Sequence, residues 1–152
     1  MLTISHIAVL CTCASVLFLI LSIALPYWYY SVLVNFGLWT YCSGFGSCQS
    51  LLEVTASMQA TRAFVIIGLL LLAGSGVVGF LKVFVLKEKT MFPRIAGGLA
   101  IAAGISIIIG VGIFGGKVGA DTSVGTLHAG FGLAVVSGLT SFAAGGLYFA
   151  SK

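Results

Sequence analysis

The chain has 152 residues, 60% hydrophobic and only 7% charged, with a formal net charge of +4. A soluble domain carries about 25% charged residues, so this sequence cannot coat a water-facing surface, and its natural solvent is lipid. No basic patch is interleaved with aromatics, so nothing in the charge suggests a nucleic-acid partner.

Four apolar stretches, about 4–25, 63–86, 95–116 and 127–150, are long enough to cross about 30 Å of hydrocarbon at roughly 1.5 Å per residue. The fold class expected is therefore an all-α membrane protein, one tetraspan domain over 1–152. Its two prolines mark boundaries: Pro26 follows the first span and Pro93 precedes the third. Most of the 21 glycines lie within apolar runs, where small residues let helix backbones approach.

The first span has no basic n-region, and "SIALPYW" is a weak cleavage pattern, so it is expected to remain as a helix. Cys11 and Cys13 within it have no polar company and read as small buried apolar side chains.

The loop at 26–62 is long and carries "NFGLWTYCSGFGSC". Its residues "WYYSVLV" suit a strand, "NFG" suits a turn, and "LWTYC" and "CQSLL" suit two more strands. Cys42 and Cys48 flank "SGFGS", whose glycines permit tight turning. A disulfide between them would pin adjacent strands and contribute about 2–3 kcal/mol. A metal site there lacks nearby His or further Cys ligands, and no metal or other cofactor is expected.

The second loop, "KEKTMFPR", is short and basic, and the third, "KVGADTSVGT", is short and near neutral. Lys82, Lys87, Lys89, Arg94 and Lys152 share one side of the membrane, offset by Glu88. Glu53, Arg62, Lys117 and Asp121 share the other and cancel. The positive-inside rule places both termini and "KEKTMFPR" in the cytoplasm and the long loop outside.

The ordered set "ALPYW" (24–28), "GLWTYC" (37–42), Cys48, "MQATRAF" (58–64) and "RIAGG" (94–98) resembles the claudin family. That family stands within the tetraspan superfamily of claudins, epithelial membrane proteins and peripheral myelin proteins. The resemblance implies a four-helix transmembrane bundle topped by a small extracellular antiparallel β-sheet. By motif match, Trp28, Gly37, Leu38, Trp39, Cys42, Cys48 and Arg62 carry over. Trp39 is expected to anchor the sheet on the bundle. Arg62 is expected to be structural, reaching backbone carbonyls or one of the acids Glu53 and Asp121. In the family, the segment after the second Cys faces an ion path; here that segment is "QSLLEVTASM", with Glu53 as its only charge.

This chain departs from claudins in several ways. Ten residues separate Trp28 from Trp39 and five separate the cysteines, both shorter than in claudins. The third loop lacks an aromatic-Asn-Pro-like segment, and the sequence ends "FASK", with no PDZ-binding tail. A sheet of about three strands is expected, and the short loops argue against a paracellular pore.

No catalytic constellation is visible. His6 and His128 lie at opposite ends of the membrane, with Asp121 a conceivable partner for His128. "GSGVVG" (74–79) lies within a span and follows no strand, so it is a packing face rather than a phosphate loop. No acid lies inside a span, which argues against a proton-coupled transporter. Serines such as Ser75, Ser106 and Ser137 are expected to bond within or between helices. Small residues recur at Ala96, Ala100, Gly104, Gly112 and Gly116, and at Gly130, Ala134 and Gly138, serving the bundle or lateral neighbours.

Two functions follow. One is a non-enzymatic, claudin-like plasma-membrane protein of cell-cell contact, lateral assembly or barrier formation, with localisation at cell junctions. The alternative is an auxiliary subunit that packs on an ion channel or receptor. The partners implied are membrane lipids and other membrane proteins, in a homo- or hetero-oligomer.

Overall fold

The computed structural model describes residues 3–121 and 126–151. Four helices, α1 (Ile4–Ala24), α2 (Ala56–Phe84), α3 (Met91–Asp121) and α4 (Ala129–Ala150), are long and apolar enough to cross a membrane. Five short strands cap one end of them: β1 (Tyr29–Tyr30), β2 (Val34–Phe36), β3 (Thr40–Ser43), β4 (Cys48–Ser50) and β5 (Thr126–Leu127). The basic loop after Phe84, Thr3 and Ser151 lie at the other end.

Two helices start earlier than hydropathy alone indicates. α2 begins at Ala56 rather than near residue 63, because the Thr55 hydroxyl accepts from Met58 N–H and caps the polar run before the span. The loop between α1 and α2 is shortened accordingly. α3 begins at Met91 rather than near residue 95 and holds Pro93 in its first turn, where a missing N–H leaves no helical bond unmade. It also continues past residue 116 to Asp121.

The buried faces are small and polar rather than greasy. α1 turns Ala8, Thr12, Ser15, Leu19 and Ser22 inward, while Leu10, Leu17 and Leu21 face outward. Lipid tails are as apolar as leucine, so association relies on close packing and interhelical hydrogen bonds. Between α1 and α4 the bonds are reciprocal: Ser15 Oγ donates to Ser137 O (2.7 Å), and Ser137 Oγ donates to Ser15 O (2.8 Å). Ser22 Oγ donates to Gly130 O (2.6 Å) in the same seam. Ser75 joins α2 to Ala96 O of α3 (2.8 Å), and Ser141 joins α4 to Ala100 O of α3 (2.5 Å). Gly79 seats the Tyr148 ring, since a Cβ there would lie 2.7 Å from Tyr148 Cζ.

The small-residue stripe on α3 divides. Ala96, Ala100 and Gly104 are buried, whereas Gly112 and Gly116 face outward into open space. Gly130, Ala134 and Gly138 of α4 are all buried. Cys13 also faces outward and Cys11 is half-buried, so the pair is not buried in the bundle as expected. Helices tolerate this because the outward face meets hydrocarbon.

The sheet is antiparallel throughout, in the order β4-β3-β2-β1-β5. It has five strands rather than three, for two reasons. A turn closed by Ser31 N–H to Val34 O (2.8 Å) splits "WYYSVLV" into β1 and the start of β2. Thr126–Leu127, read as the end of the third loop and the first residue of the fourth span, adds β5 beside β1. Asn35 and Phe36, expected in a turn, belong to β2; the turn lies at 37–39 and is closed by Gly37 N–H to Thr40 O (2.9 Å).

Candidate functional site

The buried anchor that fastens the sheet to the bundle is Trp28; Trp39 meets the bundle through the Arg62 side chain of α2. Trp28 follows α1 by a four-residue step and is completely buried, whereas Trp39 is 40% exposed. The Trp28 indole Nε1–H donates to Ser22 O (2.7 Å), a carbonyl at the end of α1 that has no onward helical partner. Its ring meets Phe114 of α3 edge-on at 5.0 Å and Phe131 of α4 at 6.1 Å. Its backbone N–H donates to Phe36 O (3.0 Å), and its carbonyl accepts from His128 N–H (3.1 Å). One residue thus joins α1, α3, α4 and the sheet. Gly130 makes room for it: a Cβ at that position would lie 3.0 Å from Trp28 Nε1 and closer still to Cδ1. The expectation that Trp39 anchors the sheet is corrected on physical grounds. Trp28 is tethered directly to a helix end and reaches the bundle axis; Trp39 sits on a turn outside it.

Gly37 and Leu38 form the base of the sheet. A Cβ on Gly37 would run into the Leu25 carbonyl and lie 2.9 Å from Pro26 Cα, so the turn can rest on the end of α1 only with glycine there. Leu38 is buried against the core. Its carbonyl receives Arg62 Nε–H (2.7 Å), while Arg62 Nη2 reaches Leu51 O (3.4 Å). The Arg62 guanidinium lies 4.4 Å from the centre of the Trp39 ring. Arg62 therefore clasps the turn before β3 and the exit from β4, using two carbonyls and one aromatic face. Glu53 is not among its partners, and the Asp121 side chain lies outside the described residues, as does the pairing of His128 with Asp121. His128 instead packs against Tyr27 (5.9 Å) and Tyr30 (5.4 Å).

Cys42 and Cys48 stand directly opposite in the β3–β4 register and are joined by a disulfide. Gly46 supplies the turn between them with φ +87°, a conformation that side chains disfavour. The far ends of the strands carry strongly exposed apolar side chains: Val32 (84%), Leu33 (73%) and Phe45 (97%). The two tips are joined by Gly44 N–H to Leu33 O (2.7 Å).

Glu53 lies in the segment from β4 to α2 and lines a cavity of about 410 Å³ under the sheet, together with Lys117 of α3. Among the described residues, no group of three or more His, Cys, Asp or Glu side chains is placed to hold a metal ion.

Sequence reasoning placed Phe36 in the first loop and Lys117 on this side of the membrane, but did not identify Phe114, Phe131 or Gly130 as parts of this region. A phenylalanine inside a span looks like any lipid-facing residue. Only its neighbours in space distinguish it.

No curated protein matches the chain. The PMP-22/EMP/MP20/Claudin family model matches residues 1–148. Four spans, an antiparallel sheet at one end and a disulfide within that sheet agree with the match, and the chain belongs to the PMP-22/EMP/MP20/Claudin family.

Proposed function

We propose that this membrane protein is a non-enzymatic contact protein of the plasma membrane. Both termini face the cytoplasm, and the sheet faces outward to bind a neighbouring protein at a cell junction. The carrying observation is the paired tip of Val32, Leu33 and Phe45. Three large apolar side chains stand almost fully exposed on adjacent turns of a disulfide-pinned sheet. A rigid, preorganised apolar patch loses little entropy on docking, which favours recognition over mere stickiness.

Expression in cells without junctions tests this. The protein should concentrate where two expressing cells touch. A Val32→Ser, Leu33→Ser, Phe45→Ser variant should reach the surface in equal amount yet lose that enrichment. Equal enrichment of the variant overturns the reading. The tip is compact, so the protein alone is expected to form contacts or clusters rather than continuous strands. Freeze-fracture imaging that shows extended strands, with a cation preference abolished by Glu53→Gln, would replace it with a pore-lining role.

A second reading, an auxiliary subunit beside a channel or receptor, draws support from α3. Its outward face carries Gly112 and Gly116, each with open space where a partner helix could approach closely. Stoichiometric co-purification with one channel, lost in Gly112→Leu, favours that reading.

A further inference from the structure

The cavity beneath the sheet has a composition that neither packing nor the contact function accounts for. Its volume is about 410 Å³, within the range of small-molecule sites. Its walls come from three places: the sheet supplies Phe36 and Tyr41, α3 supplies Phe114 and Lys117, and the β4–α2 segment with the first turn of α2 supplies Glu53 and Met58. Phe36 and Phe114 meet at 6.1 Å and 63°, forming an aromatic corner. The Glu53 carboxylate and the Lys117 ammonium make no side-chain hydrogen bond or ion pair with another described residue. The apolar cavity thus has one acid and one base exposed at its rim, each on a different wall.

We infer that this cavity binds a phosphocholine zwitterion. A quaternary ammonium has no N–H to donate. It is recognised by aromatic faces and a nearby carboxylate, which Phe36, Tyr41, Phe114 and Glu53 provide. The linked phosphate monoanion or diester needs a cation, which Lys117 provides. The opening turn of α2, with Thr55 and Ser57 in the same wall, adds the positive end of a helix dipole. The location suits such a ligand. The cavity lies at the sheet end of the candidate spans α2 and α3, between them and the sheet. A primary ammonium, as in phosphoethanolamine, is more strongly hydrated and would give up more on entering an aromatic site.

The same chemistry occurs in an outer-leaflet lipid headgroup and in free phosphocholine, and two measurements separate them. In the first, full-length protein is released from nanodiscs of equal phosphatidylcholine and phosphatidylethanolamine, and retained lipid is counted by native mass spectrometry. A lipid ligand gives a preference for phosphatidylcholine of about fivefold or more. Glu53→Gln and Tyr41→Ala should each bring the ratio close to one, and Lys117→Gln should lower retention of both lipids. In the second, free phosphocholine is titrated into protein held in nanodiscs without choline lipids. Saturable binding that Glu53→Gln abolishes identifies the free compound as ligand. Equal retention of the two lipids by the unaltered protein, with no saturable phosphocholine binding, overturns the inference. So does a preference that neither Glu53→Gln nor Tyr41→Ala changes. The comparison of lipids on unaltered protein stands even if a variant fails to fold.

Discussion

Helix α1 has two seams, and they are built in opposite ways. Against α4 it is stitched by Ser15, Ser137 and Ser22, with the Thr12 hydroxyl 3.3 Å from Tyr148 Oη. Against α2, its neighbour in sequence, it leaves a groove of about 480 Å³ lined by residues such as Val16, Leu17, Gly76, Val77 and Phe80. The difference teaches what holds a bundle together in lipid. Apolar side chains on the second seam gain nothing from leaving hydrocarbon for protein, so they need not close it. Polar groups on the first seam have few other partners, so they do.

The contrast is easiest to break at the top of the stitched seam. Gly130→Val places atoms where the Trp28 ring sits, so Trp28 must leave its seat. Displacing a buried aromatic costs on the order of 3–5 kcal/mol. Surface delivery should be nearly lost, and the melting temperature in detergent should fall sharply. A variant that melts like the parent would show that Trp28 does not clamp this seam.

Arg62→Ala should come next. It leaves the Leu38 and Leu51 carbonyls without their donor, at about 1–3 kcal/mol. Arg62→Lys should recover only part of the loss, because one ammonium cannot repeat the fork and the ring contact. Thermal melts of the three proteins rank them, and equal melting of Lys and Arg forms would reduce Arg62 to a simple charge.

Replacing Ser15 and Ser137 together by Ala tests the stitches themselves. Two interhelical bonds in lipid are expected to contribute about 1–2 kcal/mol in total. A double-mutant cycle should show coupling between them, since each hydroxyl is also 3.1 Å from the other. Additive single effects would mean that the two bonds act independently.

The smallest effect belongs to the open seam. Gly76→Ala adds a methyl whose nearest contact is Thr12 Cγ2 at an ordinary 3.6 Å. Its effect on melting should stay within about 0.5 kcal/mol. A large loss would show that the groove closes in the membrane.

Much of this architecture could be read before any coordinates. The spans were visible because water excludes long uncharged runs, and the hairpin because two cysteines flank a glycine turn. The inner and outer faces of the spans were not, because both are apolar and hydropathy cannot tell Leu19, which is buried, from Leu17, which is not. The Trp28 seat was hidden for a related reason. It depends on Ser22, Phe36, Phe114 and Gly130 meeting in space, across 108 positions of sequence for Ser22 and Gly130 alone. The cavity of Glu53 and Lys117 joins a loop and a helix end that share no motif.

The pairing of β1 with β5 sets an order of assembly. The β3–β4 hairpin is local and can close once the first loop has emerged from the translocation machinery. β5, His128 and Gly130 are all synthesised after the third helix, and without them the Trp28 carbonyl lacks its His128 N–H donor and the indole lacks the Gly130 seat. A nascent chain stalled after three helices therefore presents a tryptophan that its own later segment has not yet covered. Covering Trp28 is thus a late step, completed only when the fourth helix packs.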